Sequence, residues 1–172
     1  MTVRRWPYAI ERLARHHDRE AFSCGTPDLD RYFRELVGQE ERKRVTVAYV
    51  AVVSGSATVA GFYTLAARTI PYPDLPAELK RRLPRYEVIP ATLIGRLAVD
   101  TNHQGRGLGG FLLVDALKRS LAESERVGSW AVVVDAKDDT GSSFYRKFGF
   151  IPFPDKPLRL FLPMQTIAKL PN

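Results

Sequence analysis

Apolar positions along this chain change spacing several times, and each change marks an element. Tyr8-Ala9-Ile10-Glu11-Arg12-Leu13 has the pattern of a first strand. Thr26-Pro27-Asp28 then reads as a helix start, with a capping hydroxyl, proline at the first helical position and an acid in the first turn. Leu29, Phe33 and Leu36, with Tyr32, recur at helical spacing and predict one buried face. Val45 to Val53 and Thr58 to Thr69 read as strands. The short Ser54-Gly55-Ser56 turn between them makes an antiparallel hairpin. Proline-rich Pro71 to Pro90 is an excursion with one short helix around Ala77 to Leu83, and Thr92 to Val99 is the next strand. A long helix spans Gly107 to about Glu125, with Leu113, Leu117, Leu121 and Val114 on one face and Asp115, Lys118 and Arg119 opposite. Trp130 to Asp135 is a strand, Ser142 to Phe148 a short helix stopped by Gly149, and Leu158 to Leu162 a last strand. The order predicts a mixed α/β fold: an antiparallel front half followed by one strand–helix–strand crossover.

Within this order, the segment from Leu93 to Gly110 carries the most chemistry. An apolar strand enters a polar turn, and glycines then open the long helix. Glycine has no Cβ, so the backbone can bend sharply and bring its N–H groups close to a ligand. The first N–H groups of a helix have no partner within it, and the helix dipole favours negative charge there. The combination predicts a phosphate cradle, and with it a pyrophosphate ligand. Gly105, Gly107 and Gly110 formally satisfy the dinucleotide fingerprint G-x-G-x-x-G, and Asp135 ends the next strand. A hairpin precedes the turn, however, where a doubly wound sheet needs parallel units. Too little chain follows Asp135 to complete such a sheet.

Composition adds bounds. The chain has 172 residues, which predicts a single domain over 1–172 on a prior of roughly 100–200 residues per domain. Its 45% apolar content suits a globular core. The single cysteine, Cys24, excludes an intrachain disulfide. No signal-peptide or membrane-spanning run is visible, so a cytoplasmic protein without membrane attachment is expected. The net charge of +7 gathers partly at Arg42-Lys43-Arg44, at Lys80-Arg81-Arg82 with Arg85, and at Arg4-Arg5 with Arg12 and Arg15. Such clusters attract polyanions such as nucleic acid, though a solvated surface or contacts to a small phosphate ligand give the same composition.

The glycine turn fits a second pattern more fully. Gln104-Gly105-Arg106-Gly107-Leu108-Gly109 is Q-x-x-G-x-G, and the chain thereby resembles the GNAT acetyltransferase superfamily. Asp138, Gly141 and Tyr145 stand at the spacing of that family's N-x-x-A-x-x-x-Y, with aspartate for asparagine and glycine for alanine. Phe144 to Phe150 is similar to the F-Y-x-x-x-G-F ending of many members. Phe22-Ser23-Cys24-Gly25 with Leu29-Asp30, and Gly95 to Asp100, resemble the acetyltransferase toxins of bacterial toxin–antitoxin pairs.

The resemblance implies a GNAT fold: a central mixed, mostly antiparallel sheet, splayed at the acetyl-coenzyme A site and flanked by helices. It implies that Gln104, Gly105, Arg106, Gly107, Leu108, Gly109 and Gly110 hold the coenzyme A pyrophosphate, and that the backbone of Leu97, Ala98 and Val99 pairs with the pantetheine arm. It gives Tyr145 the role of general acid toward the departing thiolate, a role that suits an unperturbed pKa of about 10. The substrate it implies is the α-amine of aminoacyl-tRNA, whose acetylation blocks translation. Arg42, Lys43, Arg44, Lys80, Arg81, Arg82 and Arg85 would then neutralise tRNA phosphates. A homodimer and a small DNA-binding antitoxin are also implied. A GNAT enzyme acting on a small amine or a protein N-terminus, and a non-catalytic nucleic-acid-binding module on the same fold, stay open at this point.

Other residues carry less. Asp100 and Asp135 end strands and could cap turns or act as bases. Arg96 could face the acetyl site or solvent. His16, His17 and His103 lack metal-ligand spacing with any cysteine cluster, so no metal is expected. Cys24 reads as a packing residue, and Trp6 and Trp130 as core.

Overall fold

The structure is a computed structural model and describes residues 6–171. Arg4 and Arg5, part of the first basic cluster, lie outside the described residues. Seven strands form one sheet in the order β1-β2-β3-β4-β5-β7-β6. They are β1 (Tyr8–Arg12), β2 (Val47–Val53), β3 (Val59–Pro71), β4 (Val88–Val99), β5 (Ala131–Asp135), β6 (Ile151–Phe153) and β7 (Lys156–Pro163). The helices are α1 (Pro27–Arg31), α2 (Val37–Arg42), α3 (Ala77–Lys80), α4 (Leu108–Ser124), α5 (Asp139–Lys147) and α6 (Met164–Ile167). β1 to β3 pair antiparallel, as do β5, β7 and β6, whereas β4 and β5 run parallel across the α4 crossover. No helix is long and apolar enough to cross a membrane.

The chain divides into two compact units, Met1–Leu65 with Arg96–Asp115, and Ala66–Gly95 with Ala116–Asn172. In the first, Ala48, Val50 and Val52 alternate along β2 and share a core with Phe22, Phe33, Val37, Phe62 and Ala98. Phe33 stacks on Phe62 with ring centroids 4.4 Å apart. Full burial of one such side chain contributes about 1.5–3 kcal/mol. Gly61 is required by close approach, because a Cβ there would lie 2.8 Å from Leu112 Cδ1 and 3.0 Å from the Ala98 carbonyl oxygen. In the second unit, Ile70, Leu75, Ile89, Ala91, Ala131, Val133, Phe153 and Phe161 form the core.

Several expectations need correction. A π-helical turn, Tyr32–Leu36, sits between α1 and α2. Its wider turn puts the fourth residue on, not the third, above a given position. Leu36 therefore points outward at 42% exposure, and Val37 takes its place in the core. On α4 the buried stripe is Leu108, Leu112, Leu113, Ala116, Leu117 and Ser120, while Val114 and Leu121 are only half-buried. Trp6 is 41% exposed and packs on Phe111 rather than in the core. The strand expected over 158–162 is one arm of the β6–β7 hairpin, and the helix of the excursion ends at Lys80.

Candidate functional site

The glycine turn keeps its backbone donors open. Gly105 and Gly107 have φ of +78° and +83°, a region closed to most side chains, and a Cβ at either would meet nothing within 4 Å. The first bond of α4 runs from the Phe111 N–H to the Gly107 carbonyl. Among the described residues, the amides of Gly105 to Gly110 have no protein acceptor. A row of unpaired N–H groups at the start of a 17-residue helix fits the diphosphate of a coenzyme A thioester.

Distant side chains hold this turn in shape. The Gln104 side-chain amide donates to the Val99 carbonyl at 2.9 Å and to the Cys24 carbonyl at 3.1 Å. Gln104 thus ties the turn to the end of β4 and to the segment at Cys24 through its amide nitrogen. Asp100 is buried and accepts from the Ser23 and Asn102 amides at 3.0 and 2.9 Å. It closes turns and is not free to act as a base. Asp30 accepts from the Cys24 amide at 2.7 Å and from the Ser23 hydroxyl at 3.4 Å. The Phe22-Ser23-Cys24-Gly25…Leu29-Asp30 block is therefore a folding device: Phe22 anchors the core, and Gly25 turns the chain at φ +89°. Burial and Asp30 raise the pKa of the half-buried Cys24 thiol, which suits packing and disfavours a nucleophile.

Leu97, Ala98 and Val99 end β4 and lead into this turn. The β4–β5 ladder stops at Ile94 opposite Val134, although β4 runs on to Val99. Past that point Thr64, itself buried, accepts the Arg96 N–H on its Oγ1 at 3.1 Å.

In the second unit, Tyr145 lies on α5 between Phe144 and Phe150, at centroid distances of 5.2 and 5.5 Å. Burial pushes its phenol up to about 12, so the hydroxyl keeps its proton throughout the neutral range. Its oxygen has no hydrogen-bond partner among the described residues. Asp138 accepts from the Gly141 amide at 2.9 Å and caps α5, which accounts for aspartate at that motif position. Asp135 is engaged by Arg159 at 2.7 Å and Arg68 at 3.0 Å. Burial opposes its ionisation, but hydrogen bonds from Arg159 and Arg68 outweigh this and lower its pKa. The sequence reading missed this three-residue cluster, whose members lie on three different strands.

The basic residues fall into separate groups. Arg42, Lys43 and Arg44 are all exposed where α2 ends. Arg44 closes that helix at φ +59°, a position where glycine is usual, while the Val45 amide bonds back to Glu40. Lys80, Arg81 and Arg85 line a groove with Tyr72, Ala77 and Leu83; Arg82 is exposed beside it. The fold also brings Glu11, His16 and His17 within 4.8 Å of one another, which spacing along the chain did not reveal. His17 Nδ1 accepts the Ala14 amide at 2.9 Å, so its proton sits on Nε2, facing Glu11 at 3.3 Å. That tautomer suits a histidine closing a turn and not a metal ligand.

With this geometry in place, comparison with known proteins defines the class. The acetyltransferase (GNAT) domain family matches residues 41–152, and the chain belongs to that family. Among its relatives, the probable toxin TacT of Sinorhizobium fredii (strain NBRC 101917 / NGR234) is 34% identical, with 90% of this chain and 89% of that protein covered. A tRNA-acetylating toxin of Mycobacterium tuberculosis (strain ATCC 25618 / H37Rv) is 36% identical, covering 94% and 95%. The fold superposes on AtaT complexed with acetyl-methionyl-tRNAfMet at a TM-score of 0.87, with 28% identity over 94% of this chain and 97% of that one. An AtaT mutant bound to acetyl-CoA and the C-terminus of the antitoxin AtaR matches at a TM-score of 0.79, with 26% identity over 94% and 96%.

Proposed function

We propose that this protein is a toxin that transfers the acetyl group of acetyl-coenzyme A to the α-amine of aminoacyl-tRNA and so blocks translation. The observation that carries this reading is the similarity over 94% of the chain to a tRNA-acetylating toxin and to AtaT with its acetylated tRNA. A likeness confined to the coenzyme-binding turn would leave the acceptor open. One that extends over nearly the whole chain supports the same acceptor.

Acetyl-coenzyme A supplies the acyl group as a thioester. The open amides of Gly105 to Gly110 fit its diphosphate, and the backbone of Leu97 to Val99 offers a strand edge to its arm. Tyr145 holds a proton on its hydroxyl and gives it to the departing sulfur as the C–S bond breaks and the C–N bond forms. The proton shed by the amine passes to solvent, from which Tyr145 is reprotonated. Help of this kind is worth about 10²–10⁴-fold. With both Asp100 and Asp135 engaged, the amine attacks in its own neutral form, as an α-amine titrating near 8 can do without strong assistance. Arg42 to Arg44 and Lys80 to Arg85 neutralise tRNA phosphates. The protein works in the cytoplasm as a homodimer, without a metal, and a small DNA-binding antitoxin restrains it.

Purified protein incubated with acetyl-coenzyme A and aminoacyl-tRNA should yield N-acetylaminoacyl-tRNA and stop translation in a reconstituted system. Undiminished protein synthesis after that incubation would overturn the proposal.

A further inference from the structure

Arg96 is the one charged residue in β4, VIPATLIGRLAV. Its guanidinium lies face-on to the Tyr32 ring, with Cζ 3.8 Å from the centroid. Tyr32 is only 5% exposed; it belongs to the π-helical turn and packs in turn on Phe62. The stack uses the flat face of the cation and leaves its in-plane N–H edge unused. Arg96 makes no ion pair among the described residues, and it is exposed. Its backbone is fixed by the bond to Thr64, just past the point where the β4–β5 ladder ends.

The environment gives this arrangement a direction. Arg96 shares a strand face with Ala98, on the side where Tyr32, Phe33 and Val37 pack. The Tyr32 hydroxyl and Glu40 Oε2 are both buried without a well-aligned hydrogen bond, yet they lie close together: burial first, and then Glu40, push the Tyr32 phenol up to about 12. A buried donor and acceptor without a well-aligned bond cost stability. A leucine at position 32 would avoid the first of them but would give the guanidinium no aromatic face. What the tyrosine ring provides is a flat support that holds a planar cation in one orientation. Glu40 lies by the Tyr32 hydroxyl, but no carboxylate is ion-paired to Arg96 among the described residues, and an immobilised guanidinium edge with two parallel donors matches a phosphate.

We propose that Arg96, clamped on Tyr32, is a specificity-determining residue that grips a phosphate of the acceptor nucleotide. It immediately precedes Leu97 to Val99, so the phosphate it takes is one near the amine. The acetyl-donor diphosphate belongs to the glycine turn. The inference rests on the reaction proposed above and adds a requirement to it: the amine must be carried on a phosphorylated nucleotide.

The test uses the whole protein with saturating acetyl-coenzyme A and three acceptors: aminoacyl-tRNA, 3′-O-aminoacyl adenosine 5′-phosphate, and the same compound without phosphate. Arg96→Gln should raise KM for both phosphorylated acceptors by about tenfold or more, the scale of a lost hydrogen bond to a charged group. It should leave kcat, the phosphate-free acceptor and the acetyl-coenzyme A Kd unchanged. Arg96→Lys should fall between, because an ammonium keeps the charge without the fork. Tyr32→Phe should behave as the unsubstituted protein, since it keeps the ring, whereas Tyr32→Leu should resemble Arg96→Gln. If the leucine variant does not fold, the phenylalanine and glutamine variants decide the matter. An unchanged KM in Arg96→Gln, an equal loss on all three acceptors, or a weaker acetyl-coenzyme A Kd overturns the inference alone. Failure of the unsubstituted protein to acetylate any aminoacyl-tRNA overturns the reaction and this inference together.

Discussion

Helix α4 begins with its amides open, whereas α5 begins with its first turn closed by a carboxylate. At α4, two glycines at positive φ lead into the helix, and the N–H groups of Gly105 to Gly110 find no protein acceptor. At α5, the Asp138 side chain reaches the Gly141 amide at 2.9 Å. Both starts face the same electrostatic problem, four donors and a positive dipole end. One solves it internally and gains stability; the other leaves it for an anionic ligand. A missing side-chain cap is not by itself distinctive, since α1, α2, α3 and α6 lack one too. What sets α4 apart is its length and the two glycines at positive φ that precede its open amides.

Substitutions can break this contrast from either side. The largest effect is expected at Tyr145. Tyr145→Phe should lower kcat by about 10²–10⁴-fold, while calorimetry finds acetyl-coenzyme A bound as before, because the α4 turn is untouched. Next, Gly107→Asp would put a carboxylate at the open helix start and make α4 resemble α5. Acetyl-coenzyme A affinity should drop by about a hundredfold, the equivalent of about 3 kcal/mol. The melting temperature should fall as well, because a side chain at φ +83° is strained. Gly107→Ala, which brings the strain without the charge, should lower it similarly but weaken binding less. Asp138→Ala does the reverse at α5. It should cost about 1 kcal/mol of stability, read as a lower midpoint in urea, and leave the acetyl-coenzyme A Kd alone.

The smallest effect concerns pH. Burial raises both Tyr145 and Tyr32 to about 12. The folded chain therefore holds those protons after an unfolded chain, titrating near 10, has released them. Unfolding free energy should be indifferent to these groups below about pH 10 and fall as the pH rises toward 12. Tyr145→Phe should flatten part of that slope, and an unaltered slope in the variant would argue against a buried phenol.

Much of the fold was legible because its signals are local. The β2–β3 hairpin, the strand entering the glycine turn and the long helix lie within a few residues of where periodicity puts them. Leu36 misled, because a π-helical turn depends on packing and has no hydropathy signature of its own. The β6–β7 hairpin was half-missed, since Ile151-Pro152-Phe153 is too short to show alternation. Trp6 looked like core from its type alone, yet its ring lies at the surface on Phe111.

By itself, the sequence determined where the glycine turn falls and that its backbone can take positive φ. Conformational freedom at Gly105 and Gly107 depends only on glycine having no Cβ. Tertiary structure alone decided which polar side chains are spent on folding and which are left for a ligand. Gln104 reaches Cys24 and Asp100 reaches Ser23 across about 80 residues of chain, and Asp135 meets Arg68 across 67. Arg96 finds Tyr32 only because β4 and the π-helical turn pack on a common core. A side chain's partner is chosen by position in space, and that position is set by burial of apolar surface along the whole chain.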